Sequence, residues 1–169
     1  CCSAQAHASR AWCRPGARPA GAPCWPCRSV AFLLDTNVVS ELRKPRPHGA
    51  VLAWLQEVSD ADLHLASVTI GEIQAGVELT REQDPAKAAE IEQWLVQVSC
   101  TYNILPMDGA AFRCWARMMH RQSDTLYEDA MIAAIARVHQ LTVVTRNEAD
   151  FSRFGVELIN PFTARAREA

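Results

Sequence analysis

The sequence predicts a three-layer α/β/α domain around a mostly parallel central sheet of four to five strands. Short apolar, β-branched runs alternate with longer stretches of helical periodicity. Strands separated by helices pair in parallel through right-handed crossovers. The chain has 169 residues, room for one such domain with a real core but not for two.

Each element has its own signal. Val30–Leu34 is an apolar strand ending on Asp35, and Asn37–Arg43 reads as a short helix stopped by Pro45 and Pro47. Val51, Leu52, Leu55 and Val58 form the apolar stripe of a second helix. Leu63–Ala66 is a short strand, after which Ser67 or Thr69 is placed to cap the helix carrying Glu72. Ala88, Ile91, Leu95 and Val98 recur at helical spacing within Pro85–Val98. Tyr102–Leu105 is a strand, and Asp108 caps a helix expected to reach Arg121. A helix over Tyr127–His139 leads into the β-branched strand Leu141–Thr145, and Val156–Ile159 follows the Gly155 turn.

Composition narrows the classes. A hydrophobic fraction of 49% with 21% charged residues describes a globular protein, and no apolar run approaches the ~20 residues needed to span a bilayer. Four of the 17 basic residues fall in residues 1–29, which hold no acid. The rest carries 13 basic against 19 acidic residues, a net of −6. So acidic a body argues against broad electrostatic binding of nucleic acid, though not against a nuclease whose acids are offset by metal. Five of the seven cysteines also lie in that first stretch. Cys24-Trp25-Pro26-Cys27 has zinc half-site or redox spacing, but only Cys13 and His7 lie near enough to complete four ligands. Residues 1–29 are therefore expected to be a disordered Cys/Pro/Arg-rich leader or a mis-assigned upstream segment. The domain is expected over 30–162, with a C-terminal tail at 163–169.

Three acids share one kind of place. Asp35 ends the first strand, Glu72 opens the helix after the second, and Asp129 lies near the start of the helix Tyr127–His139. Parallel strands bring these places to one sheet edge, where open α/β sheets bind ligands. Each acid alone has an ordinary explanation as a cap or a helix N-terminal charge. Gathered together without a lysine, ionised carboxylates repel, and Mg²⁺ or Mn²⁺ offsets that repulsion through oxygen ligands. Thr145, Asn147 and Asp150 follow the fourth strand nearby.

The wording around the acids is more specific. Leu34-Asp35-Thr36-Asn37-Val38-Val39-Ser40-Glu41-Leu42 and Val68-Thr69-Ile70-Gly71-Glu72-Ile73-Gln74-Ala75-Gly76 are followed by Asp129-Ala130-Met131-Ile132-Ala133-Ala134-Ile135-Ala136. Val143-Val144-Thr145-Arg146-Asn147-Glu148-Ala149-Asp150-Phe151 comes last. This series resembles the PIN-domain ribonucleases, and within them the VapC and FitB-type toxins of bacterial toxin–antitoxin modules. The resemblance covers residues 30–162, including Glu157-Leu158-Ile159-Asn160-Pro161-Phe162.

That resemblance implies a PIN-like fold and a Mg²⁺- (or Mn²⁺-) dependent ribonuclease, the toxin of a type II toxin–antitoxin system. Asp35, Glu72 and Asp129 become the catalytic, metal-binding acids, with Thr36, Asn37 and Thr145 orienting acids or water. The family often supplies a fourth acid after the last core strand. Asn147 stands nearest that position, with Asp150 one helical turn later. Glu128 adjoins Asp129, but helical neighbours point about 100° apart, which makes it the weaker ligand. The resemblance further implies an RNA substrate, a cognate antitoxin protein, a homodimer, a cytoplasmic location and no membrane partner.

Positive charge for RNA must come from particular residues. Arg113, Arg117 and Arg121 recur every four positions, and Arg146 sits beside the acids. A solvated helix face explains the first three equally well. Val51, Leu52, Trp54 and Leu55 fit either a core or an amphipathic partner segment. The competing class is a catalytically weak or inactive PIN-like protein-binding module. Three mutually repelling carboxylates argue against it, because a site without chemistry has no need of them.

Overall fold

The computed structural model describes residues 30–122 and 124–163. The expectations for residues 1–29, the Cys-x-x-Cys pair included, and for the tail beyond Thr163 lie outside the described residues. One five-stranded sheet is built from β1 (Phe32–Leu34), β2 (Leu63–Ala66), β3 (Asn103–Leu105), β4 (Thr142–Val144) and β5 (Leu158–Ile159). Every pairing is parallel, in the order β3-β2-β1-β4-β5.

Alternation along each strand supplies two cores. Leu34, Leu65 and Val144 face one, where α1 (Thr36–Glu41), α2 (Gly49–Glu57), α3 (Ser67–Arg81) and α4 (Pro85–Thr101) pack. Leu33, Ala66 and Val143 face the other, covered by α5 (Gly109–Met118), α6 (Tyr127–His139) and α7 (Glu148–Phe151). The three-layer architecture follows. In α4 the buried stripe is Ala88, Ile91, Leu95 and Val98, as its spacing predicts. Its start is fixed by Pro85 in the first turn and by Asp84, whose carboxylate accepts from Lys87 N at 2.9 Å. Six residues of α6, all Ala or Ile, are buried. The small side chains let that helix lie close against the sheet.

Topology creates the site. From β1 the chain steps outward through β2 to β3, then returns across the sheet to lay β4 on β1's other flank. The order reverses between β1 and β4, and ligands of such sheets bind beyond the C-terminal strand ends at that point. Asp35 and Thr145 are the first residues past those ends. Asp35 N donates to Val144 O and Thr145 N to Ile159 O, both at 3.0 Å. Strand pairing thus sets the position of both side chains.

Some boundaries differ from the sequence expectation. β1 begins at Phe32, the first residue to pair with both neighbours, and Val30 is 56% exposed. Neither Ser67 nor Thr69 caps α3, whose N-cap is Ala66. The Ser67 hydroxyl instead accepts from Met107 N at 3.1 Å, tying α3 to the end of β3. Thr69 is buried, and its hydroxyl has no partner among the described residues. No helix among the described residues is long and apolar enough to cross a membrane.

Candidate active site

At the end of β1, Asp35 is both cap and site residue. Its Oδ1 accepts from Thr36 N at 2.7 Å, which starts α1, so the capping explanation is correct as far as it goes. Its Oδ2 accepts from the Thr145 hydroxyl at 2.7 Å and from Asn37 Nδ2. Burial raises the Asp35 pKa, opposed by these hydrogen bonds from Thr145 and Thr36.

Two polar side chains complete that corner with every hydrogen accounted for. Thr145 Oγ1 gives its one proton to Asp35 and accepts from Asn37 Nδ2 at 3.1 Å and from Asn147 N at 2.9 Å. Asn37 spends both amide hydrogens on Asp35 and Thr145, and its Oδ1 accepts from Arg146 N at 3.2 Å. A hydroxyl offers one donor and two acceptor positions, a carboxamide two donors and an acceptor. All are used here, so the Asp35 carboxylate has a single orientation.

Glu72 comes from α3, in its second turn rather than its first. Thr36 reaches across to it, donating from Oγ1 to Glu72 Oε2 at 2.5 Å. Thr36 therefore connects two acids, Asp35 through its amide and Glu72 through its hydroxyl. Burial raises the Glu72 pKa, and the charges of Asp35 and Glu128 push the same way.

Asp129 occupies the first turn of α6, and no hydrogen bond among the described residues holds its carboxylate. Its pKa is pushed up from 3.8 to about 6, by burial first and then by the charges of Asp35, Asp150, Glu72 and Glu128. Asp35 and Glu72 thus lie within reach of the Asp129 charge. Asp150 does as well. Asn147 donates from Nδ2 to Asp150 Oδ2 at 2.6 Å. One turn of α7 thus carries the fourth carboxylate that the position nearest Thr145 lacks. Glu128 is exposed and adds only like charge.

The acids fit a hard divalent cation by chemistry. All donors are carboxylate oxygens, and no Lys or Arg is among the charges acting on Asp35, Glu72 or Asp129. Among the described residues, however, no three acidic, histidine or cysteine side chains converge closely enough to enclose an ion as placed. Both Asp35 oxygens and one Glu72 oxygen are held by Thr36, Asn37 and Thr145.

The expected arginine stripe is not continuous. Helix α5 ends at Met118, and Arg121 lies past it with φ 64°, in the left-handed region. Arg113 and Arg117 remain on the helix, both exposed. Arg117 shares a cleft with Cys114, Met118 and Arg137. Arg137 is eight residues beyond Asp129, roughly 12 Å along α6 at 1.5 Å per residue, so that cleft lies toward the other end of the helix. Of Val51, Leu52, Trp54 and Leu55 on α2, three belong to the core. Val51 is fully buried, and Trp54 and Leu55 pack against it. Phe32 meets Trp54 edge-on at 5.1 Å.

Sequence reading missed Glu41. It is only 5% exposed and accepts from His48 N at 2.9 Å and Lys44 Nζ at 2.5 Å, which folds the Leu42–Pro47 link back onto α1. Its signal was a charge on the inward face of a short apolar helix, with a lysine three residues on.

This geometry matches a known family. Residues 32–157 match the PIN domain model, and the chain belongs to the PIN-domain family. It is similar to Toxin FitB of Neisseria gonorrhoeae, 32% identical over 137 residues, covering 78% of this chain and 98% of the relative. It is also similar to the VapC ribonuclease Y4jK of Sinorhizobium fredii, 33% identical over 140 residues, 78% and 97% of the two chains. The crystal structure of FitAcB from Neisseria gonorrhoeae superimposes with a TM-score of 0.70 at 31% identity, covering 79% of this chain and 99% of that one.

Proposed function

We propose that this chain is a metal-dependent ribonuclease that hydrolyses RNA phosphodiester bonds as the toxin of a bacterial type II toxin–antitoxin system. The observation that carries the chemistry is the grouping of Asp35, Glu72 and Asp150 about Asp129, each adding like charge to it with no cation among the groups that act on it. The toxin role is supported by relatives named as a toxin and as a VapC ribonuclease.

When bound, a Mg²⁺ or Mn²⁺ ion supplies an activated water and offsets phosphate charge. Asp35, Glu72 and Asp129 are the residues that would hold it, with Asp150 as the fourth acid. Thr145 and Asn37 keep the Asp35 carboxylate in one orientation, and Thr36 does the same for Glu72. Asn147 holds the Asp150 carboxylate. His64 is in β2, with its ring near Asp62 O, and His139 ends α6. Neither stands with the acids.

A cognate antitoxin, a homodimer and action in the cytoplasm complete the reading. The likeness to FitAcB supports the antitoxin. The test is cleavage of single-stranded RNA with Mg²⁺ or Mn²⁺, with EDTA as control, comparing the wild type with Asp35→Asn. Cleavage that needs the metal and fails in Asp35→Asn is expected. Metal-independent cleavage, or equal rates in the two proteins, overturns it.

A further inference from the structure

Arg146 follows Thr145 directly, and its backbone N–H is fixed to Asn37 Oδ1. Its side chain leaves the acid network. The guanidinium carbon lies over the Phe162 ring, 5.4 Å from the centroid. Among the described residues no carboxylate is within ion-pair distance of it, whereas Lys44, Arg81 and Lys87 are all paired. Arg146 is therefore an exposed cation beside the acids that neutralises none of them.

Its platform is built rather than incidental. Phe162 N donates to Asn160 Oδ1 at 3.0 Å, and Asn160 Nδ2 donates to Glu148 Oε1 at 2.6 Å, anchoring this turn to α7. Phe162 packs on the first core, and Pro161 before it is buried. The His48 imidazole rests on the same ring, centroids 5.3 Å apart at 53°. His48 is the N-cap of α2 but makes no side-chain cap. Its backbone N–H is bound to buried Glu41. Three distant segments thus meet at one aromatic ring.

We propose that Arg146 and His48, both seated on the Phe162 ring, grip a backbone phosphate of single-stranded RNA next to the bond presented to the acids. The assignment rests on the ribonuclease reading. A group of acids repels a polyanion, so the strand must be held by positive charge that the acids have not consumed. The guanidinium rests over the Phe162 ring with its N–H donors unpaired among the described residues, and that fork matches phosphate oxygens in a way a lysine cannot. Cation–π contact with the ring limits the rotamer freedom lost on binding. The His48 imidazole adds a hydrogen bond rather than a required charge.

The test measures binding of a fluorescein-labelled single-stranded RNA to the full chain by anisotropy in EDTA, across a salt series. Arg146→Ala is expected to weaken binding about tenfold at low salt and to reduce the log–log salt slope by about 0.7, one phosphate contact. Arg146→Lys keeps the slope but not the full affinity. Phe162→Leu weakens binding in the same direction with the charge intact, and His48→Gln does so without altering the slope. Wild-type slope and affinity in Arg146→Ala overturn the proposal. So does a variant that keeps its RNA slope but loses retention of poly-glutamate, which assigns Arg146 to an acidic protein partner. Failure of the wild type to cleave RNA with metal overturns the nuclease reading alone, because binding in EDTA is read separately.

Discussion

Thr145 donates its hydroxyl proton to Asp35 at 2.7 Å, joining the ends of two adjacent strands across 110 residues of chain. The bond is buried, and it lowers an Asp35 pKa that burial raises. Replacing Thr145 by Val keeps the shape and removes the proton. The Asp35 carboxylate then loses a donor, while Asn147 N and one Asn37 N–H lose their acceptor. Unsatisfied buried groups cost about 1–3 kcal/mol, and urea unfolding should show a loss of that size. RNA cleavage should fall with it. Thr145→Ser, which restores the proton, should recover most of both.

The raised Asp129 pKa makes stability depend on pH with a definite sign. The folded protein binds this proton up to about pH 6, the unfolded chain only to its ordinary 3.8. As pH rises through that window the unfolded chain releases its proton first, so stability falls, and the loss is complete above pH 6. Asp35 and Glu72, also raised by burial, act in the same direction. Thermal melts in EDTA should show Tm declining from pH 4 to pH 7. Asp129→Asn should flatten that decline and melt higher at neutral pH while abolishing cleavage. A wild-type Tm that rises through the window would show that the acids are not crowded.

Asp150 is the fourth charge, and its contribution can be separated. Asp150→Asn removes a like charge from Asp129, so the Asp129 titration midpoint should move down, as read by carboxyl carbon NMR shifts. Cleavage should fall by about 10–100-fold, the usual cost of losing a group that supports a metal site. Asn147→Ala leaves the charge but frees the carboxylate from its 2.6 Å donor. It should lower the cleavage rate with a smaller effect on the Asp129 midpoint.

Much of this was legible in the residues, for physical reasons. Asp35 was visible because a strand-end acid before Thr-Asn can only lie at a sheet edge once the flanking runs are parallel strands. The α4 stripe and the limits of α6 followed from period and buried alanines. Order within the sheet was not legible, since no local pattern says that β4 returns to β1 instead of extending from β3. That return brings Thr145 beside Asp35. The arginine stripe misled because spacing cannot show where a helix ends. Arg121 continues the period of Arg117 but follows a break at Met118. Glu41 escaped notice because its partner His48 N is a backbone group across two prolines.

Glu41 provides a second pH dependence, opposite in sign to the first. The Lys44 hydrogen bond holds its pKa below the ordinary 4.5, against the burial that raises it. A carboxylate held down in the folded state stabilises it above the unfolded value, and that stability is lost as pH falls through the folded one. Glu41→Gln keeps an acceptor for His48 N but loses the ion pair. Lys44 is half exposed, with 53% of its side chain accessible, so the cost at pH 7 should be small, about 1 kcal/mol. Urea denaturation at pH 7 and pH 3.5 should show the gap between wild type and Glu41→Gln closing at the lower pH. Over the same interval the gap between wild type and Asp129→Asn should also close, but from the other side, with the wild type the less stable at pH 7. Each variant thus isolates one slope of the composite curve. If both gaps carry the same sign at pH 7, either the crowding around Asp129 or the pairing of Glu41 is wrong, and the variant whose gap fails to close identifies which.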